Sequence, residues 1–206
     1  MPSSEKSSLH LDQELWSRFR GGDAGAFSDL MRRYSRLLFR YGSRLSPNSD
    51  LVKDCIQDIY FDLWEHRATI RETVSVKPYL FKALRLRIFR EQGKWNRYEN
   101  LEDEMPFSVE FSVENQLIEM QETEDMKEKL QKLLNTLPKR QKEILYLKFY
   151  EELNHDDIAK VMNMNRQSVY NLMHEAILRL RKNWYSSCTY PALILALGGI
   201  ITFILH

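Results

Sequence analysis

Cysteine is scarce in this 206-residue chain, which holds only Cys55 and Cys188. Two are too few for a disulfide framework and match no zinc-ligand spacing, so both read as reduced, structural thiols. The five histidines, His10, His66, His155, His174 and His206, show no ligand spacing, and no Gly-rich phosphate loop or nucleophile in a recognisable setting is present. From these absences we expect no metal, no cofactor and no enzyme. No segment alternates apolar and polar residues between turn signals, which argues against strands. The N-terminus has Ser3, Ser4, Ser7 and Ser8 but no apolar run, so it reads as neither a secretory signal nor a spanning helix. The body of the protein is expected in the cytoplasm.

Charge of one sign is also missing, but locally. Residues 101–126 carry nine Asp/Glu and no Lys/Arg, whereas residues 1–100 carry 18 Lys/Arg against 13 Asp/Glu and residues 127–182 carry 12 against 7. From Asn183 onward none of the four occurs. The net charge of +1 hides two basic blocks joined by an acidic connector. Two surfaces for a polyanion, separated by a segment that a polyanion repels, are implied.

What is present is helical periodicity. Phe27, Leu30, Met31, Tyr34, Leu37, Leu38, Tyr41 and Leu45 follow the three-and-four spacing of one helix face, with Asp23 as the expected N-cap and Ser46, Pro47 and Asn48 as the stop. "SDLVKDCIQDIYFDLWEHR" starts a second helix whose inner face holds Val52, Cys55, Ile56, Ile59 and Leu63. A third runs from near Lys77 through Phe89 and frays near Gly93. Pro106 argues against one continuous helix in the acidic connector, with a short one expected over Val113 to Met120. Helices resume near Met126, break before Pro138, and continue through "PKRQKEILYLKFYEE" with Pro138 in the first turn.

The stretch "NHDDIAKVMNMNRQSVYNLMHEAILRLRK" holds two helical patterns separated only by Asn163 to Asn165, with Asn154 and Asn165 as caps. That is helix-turn-helix spacing. On the second helix Val169, Leu172, Met173, Ala176 and Leu180 share one side, and Arg166, Gln167, Tyr170, Asn171, His174 and Arg181 the other. One reading is a solvated face. The other is a base reader, because Arg pairs bidentately with guanine and Gln or Asn with adenine in the major groove. Lys139, Arg140 and Lys142, one helix earlier, suit phosphates. In the first half, Asp54, Asp58 and Asp62 recur every four residues with Glu65 on the same side, a like-charge stack that a basic partner would relieve. Arg87, Arg90, Lys94 and Arg97, interleaved with Trp95 and Tyr98, suit a nucleic-acid strand with unstacked bases if the helix continues that far.

In combination these stretches resemble the extracytoplasmic-function (ECF) sigma factors of bacterial RNA polymerase. "GGDAGAFSDLMRRY" is similar to the start of that family's first conserved domain, "DCIQDIYFDLWEHR" to its most recognisable helix and "KPYLFKALRLRIFR" to its promoter-melting helix. The stretch from "LNTLPKRQKEILYLKFYEE" to "LRLRK" is similar to the whole second domain. The resemblance implies an all-α fold of two small helical domains, with a region 2-like domain at 12–98, an acidic linker at 99–126, a helix-turn-helix region 4-like domain at 127–184 and a hydrophobic tail at 185–206. It also implies roles. Asp54, Gln57, Asp58, Asp62 and Trp64 would dock on the clamp helices of the polymerase's largest subunit. Lys82, Arg85, Arg87, Arg90, Lys94, Trp95 and Arg97 would handle the minus-10 element, opening the duplex and holding a flipped base. Arg166, Gln167, Ser168, Tyr170, Asn171 and His174, with Lys139 and Arg140, would bind the minus-35 element. The linker would thread toward the active-site cleft, and an anti-sigma factor is the implied regulatory partner. The chain departs from the family at Leu86 and Arg90, where an Asn and then an Asp or Asn are usual, and Tyr170 with Asn171 resembles a Bacteroidetes variant. Rival readings are an autonomous helix-turn-helix regulator and a membrane-anchored interaction protein.

The tail is the remaining long apolar run. Pro191 to Leu205 would make a helix of about 22 Å against a hydrocarbon core of about 30 Å, and inclusion of Ser186 to Tyr190 lets it just cross. Membrane contact, docking on this protein or a regulator, and a disordered appendage are the alternatives. Tethering predicts that deletion of residues 186–206 moves the protein from the membrane to the soluble fraction; equal fractionation of both forms contradicts it.

Overall fold

A computed structural model of the chain describes residues 3–70, 75–93, 107 and 124–187. Among them every regular element is helical: α1 (Ser3–Arg20), α2 (Ala24–Leu45), α3 (Ser49–His66), α4 (Val76–Glu91), α5 (Glu124–Asn135), α6 (Lys139–Leu145), α7 (His155–Met162) and α8 (Arg166–Ser187). A π-helical turn, Tyr146–Tyr150, continues α6. Helices α1 to α4 pack on one another, as do α5 to α8, and α4 meets α7 across the two groups. The expected short helix at Val113 to Met120, residues Lys94, Trp95 and Arg97, and the tail from Cys188 lie outside the described residues.

Local chemistry sets the helix starts. The Asp23 carboxylate accepts from the Ala26 amide at 3.0 Å, and Asn48 accepts from the Asp50 and Leu51 amides at 3.1 Å, each filling donors that a helix start leaves open. Leu30, Tyr34, Leu38, Tyr41 and Leu45 of α2 and Val52, Cys55, Ile56, Ile59 and Leu63 of α3 are buried, as their spacing predicts. Burial pushes the Cys55 thiol up to about 11, consistent with an inert structural residue.

Three features depart from the sequence expectation. Helix α1 was not anticipated, because its apolar content is confined to one end; there Leu15, Trp16 and Phe19 enter the core. It is held further by Asp12, which accepts from the Tyr34 hydroxyl at 2.5 Å and pairs with Arg33 at 2.7 Å. The stretch after Pro138 is not one regular helix, since it widens into the π-turn and stops at Glu152, whose φ is +55°. Pro138 itself sits at the N-cap, one residue before the first turn.

At Gly42, α2 packs closely on both α3 and α4. A Cβ there would lie 2.5 Å from Val52 Cγ1 and 3.3 Å from Leu84 Cδ2. Glycine in mid-helix costs about 1 kcal/mol relative to alanine, so its presence reflects this contact. Gly42→Val is expected to lower stability by about 1–3 kcal/mol through overpacking. Thermal unfolding of the full chain reads this, and an unchanged midpoint would contradict it.

Candidate nucleic-acid interface

The second helix group builds a helix-turn-helix from its own caps. Asn154 accepts from the Asp157 amide at 2.9 Å and starts α7, while Asn165 accepts from the Ser168 amide at 2.7 Å and starts α8. Asn163 ends α7 in the left-handed region at φ +53°, which asparagine tolerates, and the chain turns at once into α8. Val169, Met173 and Ala176 are buried, fixing the rotation of α8 against α6 and α7. That rotation leaves Arg166, Gln167, Tyr170, Asn171 and His174 exposed, with Ser168 half-buried.

The exposed groups are partly organised among themselves. Gln167 donates to Asn171 at 2.9 Å, so the two amides form one unit, and Arg166 lies 3.4 Å from the Asp156 carboxylate. The His155 ring stands 6.2 Å from that of Tyr170, and burial, then Lys148 and Arg166, holds the imidazole below its usual range. Neutral His155 therefore adds no charge beside the reader end at ordinary pH. Lys139 and Arg140 sit half-buried at the start of α6, where burial and Lys139 lower the Lys142 ammonium.

On α3, Asp54, Gln57, Asp58 and Asp62 are all exposed, and Trp64 is half-buried, packing on Phe27 with the Arg67 guanidinium over its ring. Phe61 stands among them at 65 % exposure, an apolar group the charge pattern did not single out. The stacked carboxylates find a cation within the chain: Arg87 of α4 bonds Asp58 at 2.7 Å and Asp62 at 2.5 Å. Arg87 thus faces α3 as well as the open cavity of about 350 Å³ between α3 and α4, which Asp62, His66, Tyr79, Leu86 and Arg90 also line.

Helix α4 ends at Glu91 and Gly93 takes φ +65°, so of the expected basic arc the described residues hold Arg87 and Arg90. Lys82 is half-buried and donates to Asn163 at 3.4 Å. Arg85, expected on an open surface, is 2 % exposed and pairs with Glu143 of α6. Its partner lies 58 positions away, so no local spacing signals it. Arg40, Lys77, Glu143 and Glu151, which meet in the same seam, escaped the sequence reading for that reason.

Two family models match: Sigma-70 region 2 over residues 30–96 and Sigma-70, region 4 over residues 127–180. The chain is 22 % identical to RNA polymerase sigma factor YlaC of Bacillus subtilis (strain 168) over 166 residues, covering 79 % of this chain and 94 % of that protein. It is 21 % identical to ECF RNA polymerase sigma factor SigM of the same organism over 153 residues, 74 % and 91 % of the two. In fold it is similar to sigma factor RpoE, solved with the anti-sigma factor NepR from Bartonella quintana, at a TM-score of 0.53 and 19 % identity, covering 77 % of this chain and 96 % of that one.

The Arg87 bridge generates a stability prediction. Arg87→Ala leaves the Asp54, Asp58, Asp62 stack without its internal cation, and because both carboxylates are half-exposed the loss is about 1 kcal/mol or less. Urea denaturation at low and high salt checks it: the loss should shrink as salt rises, and a salt-independent loss would point to packing instead.

Proposed function

We propose that this chain, which belongs to the sigma-70 family, works as an ECF sigma factor: it binds core RNA polymerase and directs DNA-templated transcription initiation at specific promoters. The observation that carries this reading is the presence, in order, of both sigma regions in one all-helical chain, the second presenting an open polar face at the start of α8.

Roles follow from placement and chemistry. Arg166, Gln167, Tyr170, Asn171 and His174 read base edges of the minus-35 element, with Lys139 and Arg140 on the backbone. Asp54, Gln57, Asp58, Asp62 and Trp64 dock on the clamp helices of the polymerase's largest subunit, and exposed Phe61 adds apolar contact area to that face. The basic end of α4 and the residues after it, Lys94, Trp95 and Arg97 included, engage the minus-10 element. The domain limits are 12–98 and 127–184, with 99–126 as the acidic linker. The protein does no chemistry of its own and answers to an anti-sigma factor, a reading supported by its likeness in fold to RpoE, which was solved in complex with the anti-sigma factor NepR. A Bacteroidetes-type origin and contact with a membrane through residues 186–206 complete the reading. No helix among the described residues is long and apolar enough to cross a membrane.

Base readers and backbone grips separate in a binding experiment. In holoenzyme, Arg166→Ala and Gln167→Ala are each expected to cost about 1–3 kcal/mol of preference for the cognate promoter over a scrambled one. Lys139→Ala should weaken both equally and reduce the salt slope by about one counter-ion. Identical behaviour of the three variants on both DNAs would reject this division of labour.

A further inference from the structure

A face built from flexible charged side chains loses affinity for each one that binding must order, so what already holds the side chains of α3 decides how well it can dock. Asp58 and Asp62 lie one turn apart on α3, where neighbouring carboxylates repel each other. Arg87 reaches across from α4 and engages both, one terminal guanidinium nitrogen 2.7 Å from Asp58 and the other 2.5 Å from Asp62. A planar fork with donors at a fixed angle sets the spacing of the two carboxylates, which a point charge does not. The acids remain 58 % and 51 % exposed while the arginine is only 22 % exposed, so Arg87 lies behind them and they form the surface.

Trp64 is held in a similar manner. The Arg67 guanidinium stands 4.5 Å from its ring centre and donates to its carbonyl, and Phe27 packs on the ring with centroids 5.1 Å apart. Exposed Phe61 stands between these two fixed points, one turn after Gln57 and one before Glu65. The same placement argues against a DNA contact for Arg87, the role its position in the basic arc suggested. Both terminal nitrogens are engaged, and a phosphate approaching them would meet Asp58 and Asp62 first, with Asp54 and Glu65 flanking. A basic partner meets the opposite field.

We propose that Arg87 is a positioning residue for polymerase docking: it holds Asp58 and Asp62 in the orientation that the partner's cations meet, and it does not touch DNA. The inference rests on the reading of the α3 face as the docking surface. It sets two effects of opposite sign against each other. Removing a cation from a net acidic face raises its attraction for a basic partner, but for exposed charges that gain is small and fades in salt. Freeing two carboxylates obliges docking to order them again, which weakens binding about fivefold or more. Positioning therefore outweighs charge, and loss of Arg87 weakens docking.

The test measures the affinity of the full chain for purified bacterial core RNA polymerase at about 0.15 M salt. Arg87→Ala should bind about fivefold or more weakly, although it makes the face more acidic. Arg87→Lys keeps the charge and loses the fork, so it too should bind more weakly than the wild type, and it alone decides should Arg87→Ala fold poorly. In a chain that already carries Asp58→Ala and Asp62→Ala, Arg87→Ala should change nothing further, whereas a general packing defect would persist there. Tighter or unchanged binding by Arg87→Ala overturns the inference, as does wild-type affinity of Arg87→Lys or an undiminished loss in the doubly substituted chain. Polymerase saturated with wild type or Arg87→Ala should bind a labelled mixed-sequence DNA single strand equally, and a loss there places Arg87 on DNA and overturns its assignment. A wild-type chain that does not bind core polymerase overturns the sigma reading and the inference with it. If the wild type binds and the Asp58→Ala, Asp62→Ala chain binds equally well, the docking face and the inference fall while the sigma reading stands.

Discussion

The pair of Arg85 and Glu143 governs how the rest of this molecule is arranged. Both side chains are almost wholly removed from water, and such a pair persists only when its geometry and its remaining hydrogen bonds are satisfied. Here the bidentate contact and the Tyr41 hydroxyl supply them, and burial, with Glu143 behind it, pushes the Tyr41 phenol well above its ordinary range, so it stays a donor. Loss of one partner from a buried pair generally costs about 3–5 kcal/mol, because the other charge is stranded. The ring stack of Tyr41, Phe81, Phe107 and Tyr146 excludes water from that pair, and the Glu151 cluster repeats the design a few residues on. These groups join α2 and α4 to α6 and to the π-turn that follows it.

From this constraint the placement of the functional faces follows. With the inner side of α4 committed to the seam, its outer side turns Arg87 toward the carboxylates of α3, which relieves the like-charge stack inside the chain. One arginine against Asp54, Asp58, Asp62 and Glu65 leaves the face net acidic, with Asp54, Gln57 and Phe61 exposed. On the far side, α8 is pinned by its buried Val169, Met173 and Ala176, and its polar face points to solvent. The polar residues at the start of α8 therefore stand on a preformed, exposed face.

How much of this could be read from the sequence depended on distance along the chain. The caps Asp23, Asn154 and Asn165 act over three residues and were legible, as were the core faces of α2 and α3 and the turn at Asn163, whereas Asn48, read only as part of the stop after α2, also caps α3. The orientation of Gln167 and Asn171 followed from the helix period. Helix α1 was missed because Leu15, Trp16 and Phe19 make too short a stripe to declare itself without the pocket that receives it. Arg85 was misjudged for a related reason: an arginine among basic neighbours looks solvated, and only the fold brings Glu143 to it. Phe107, an aromatic in an acidic connector, gave no sign that it would be buried.

The central claim is that this chain gives RNA polymerase its promoter. Run-off transcription from a genomic promoter library, with purified bacterial core polymerase alone and with this protein added, tests it most directly. The account predicts discrete new transcripts that appear only with the protein and share a common upstream sequence. Tight DNA binding without polymerase and no new transcripts would contradict it, and would mark an autonomous helix-turn-helix regulator instead.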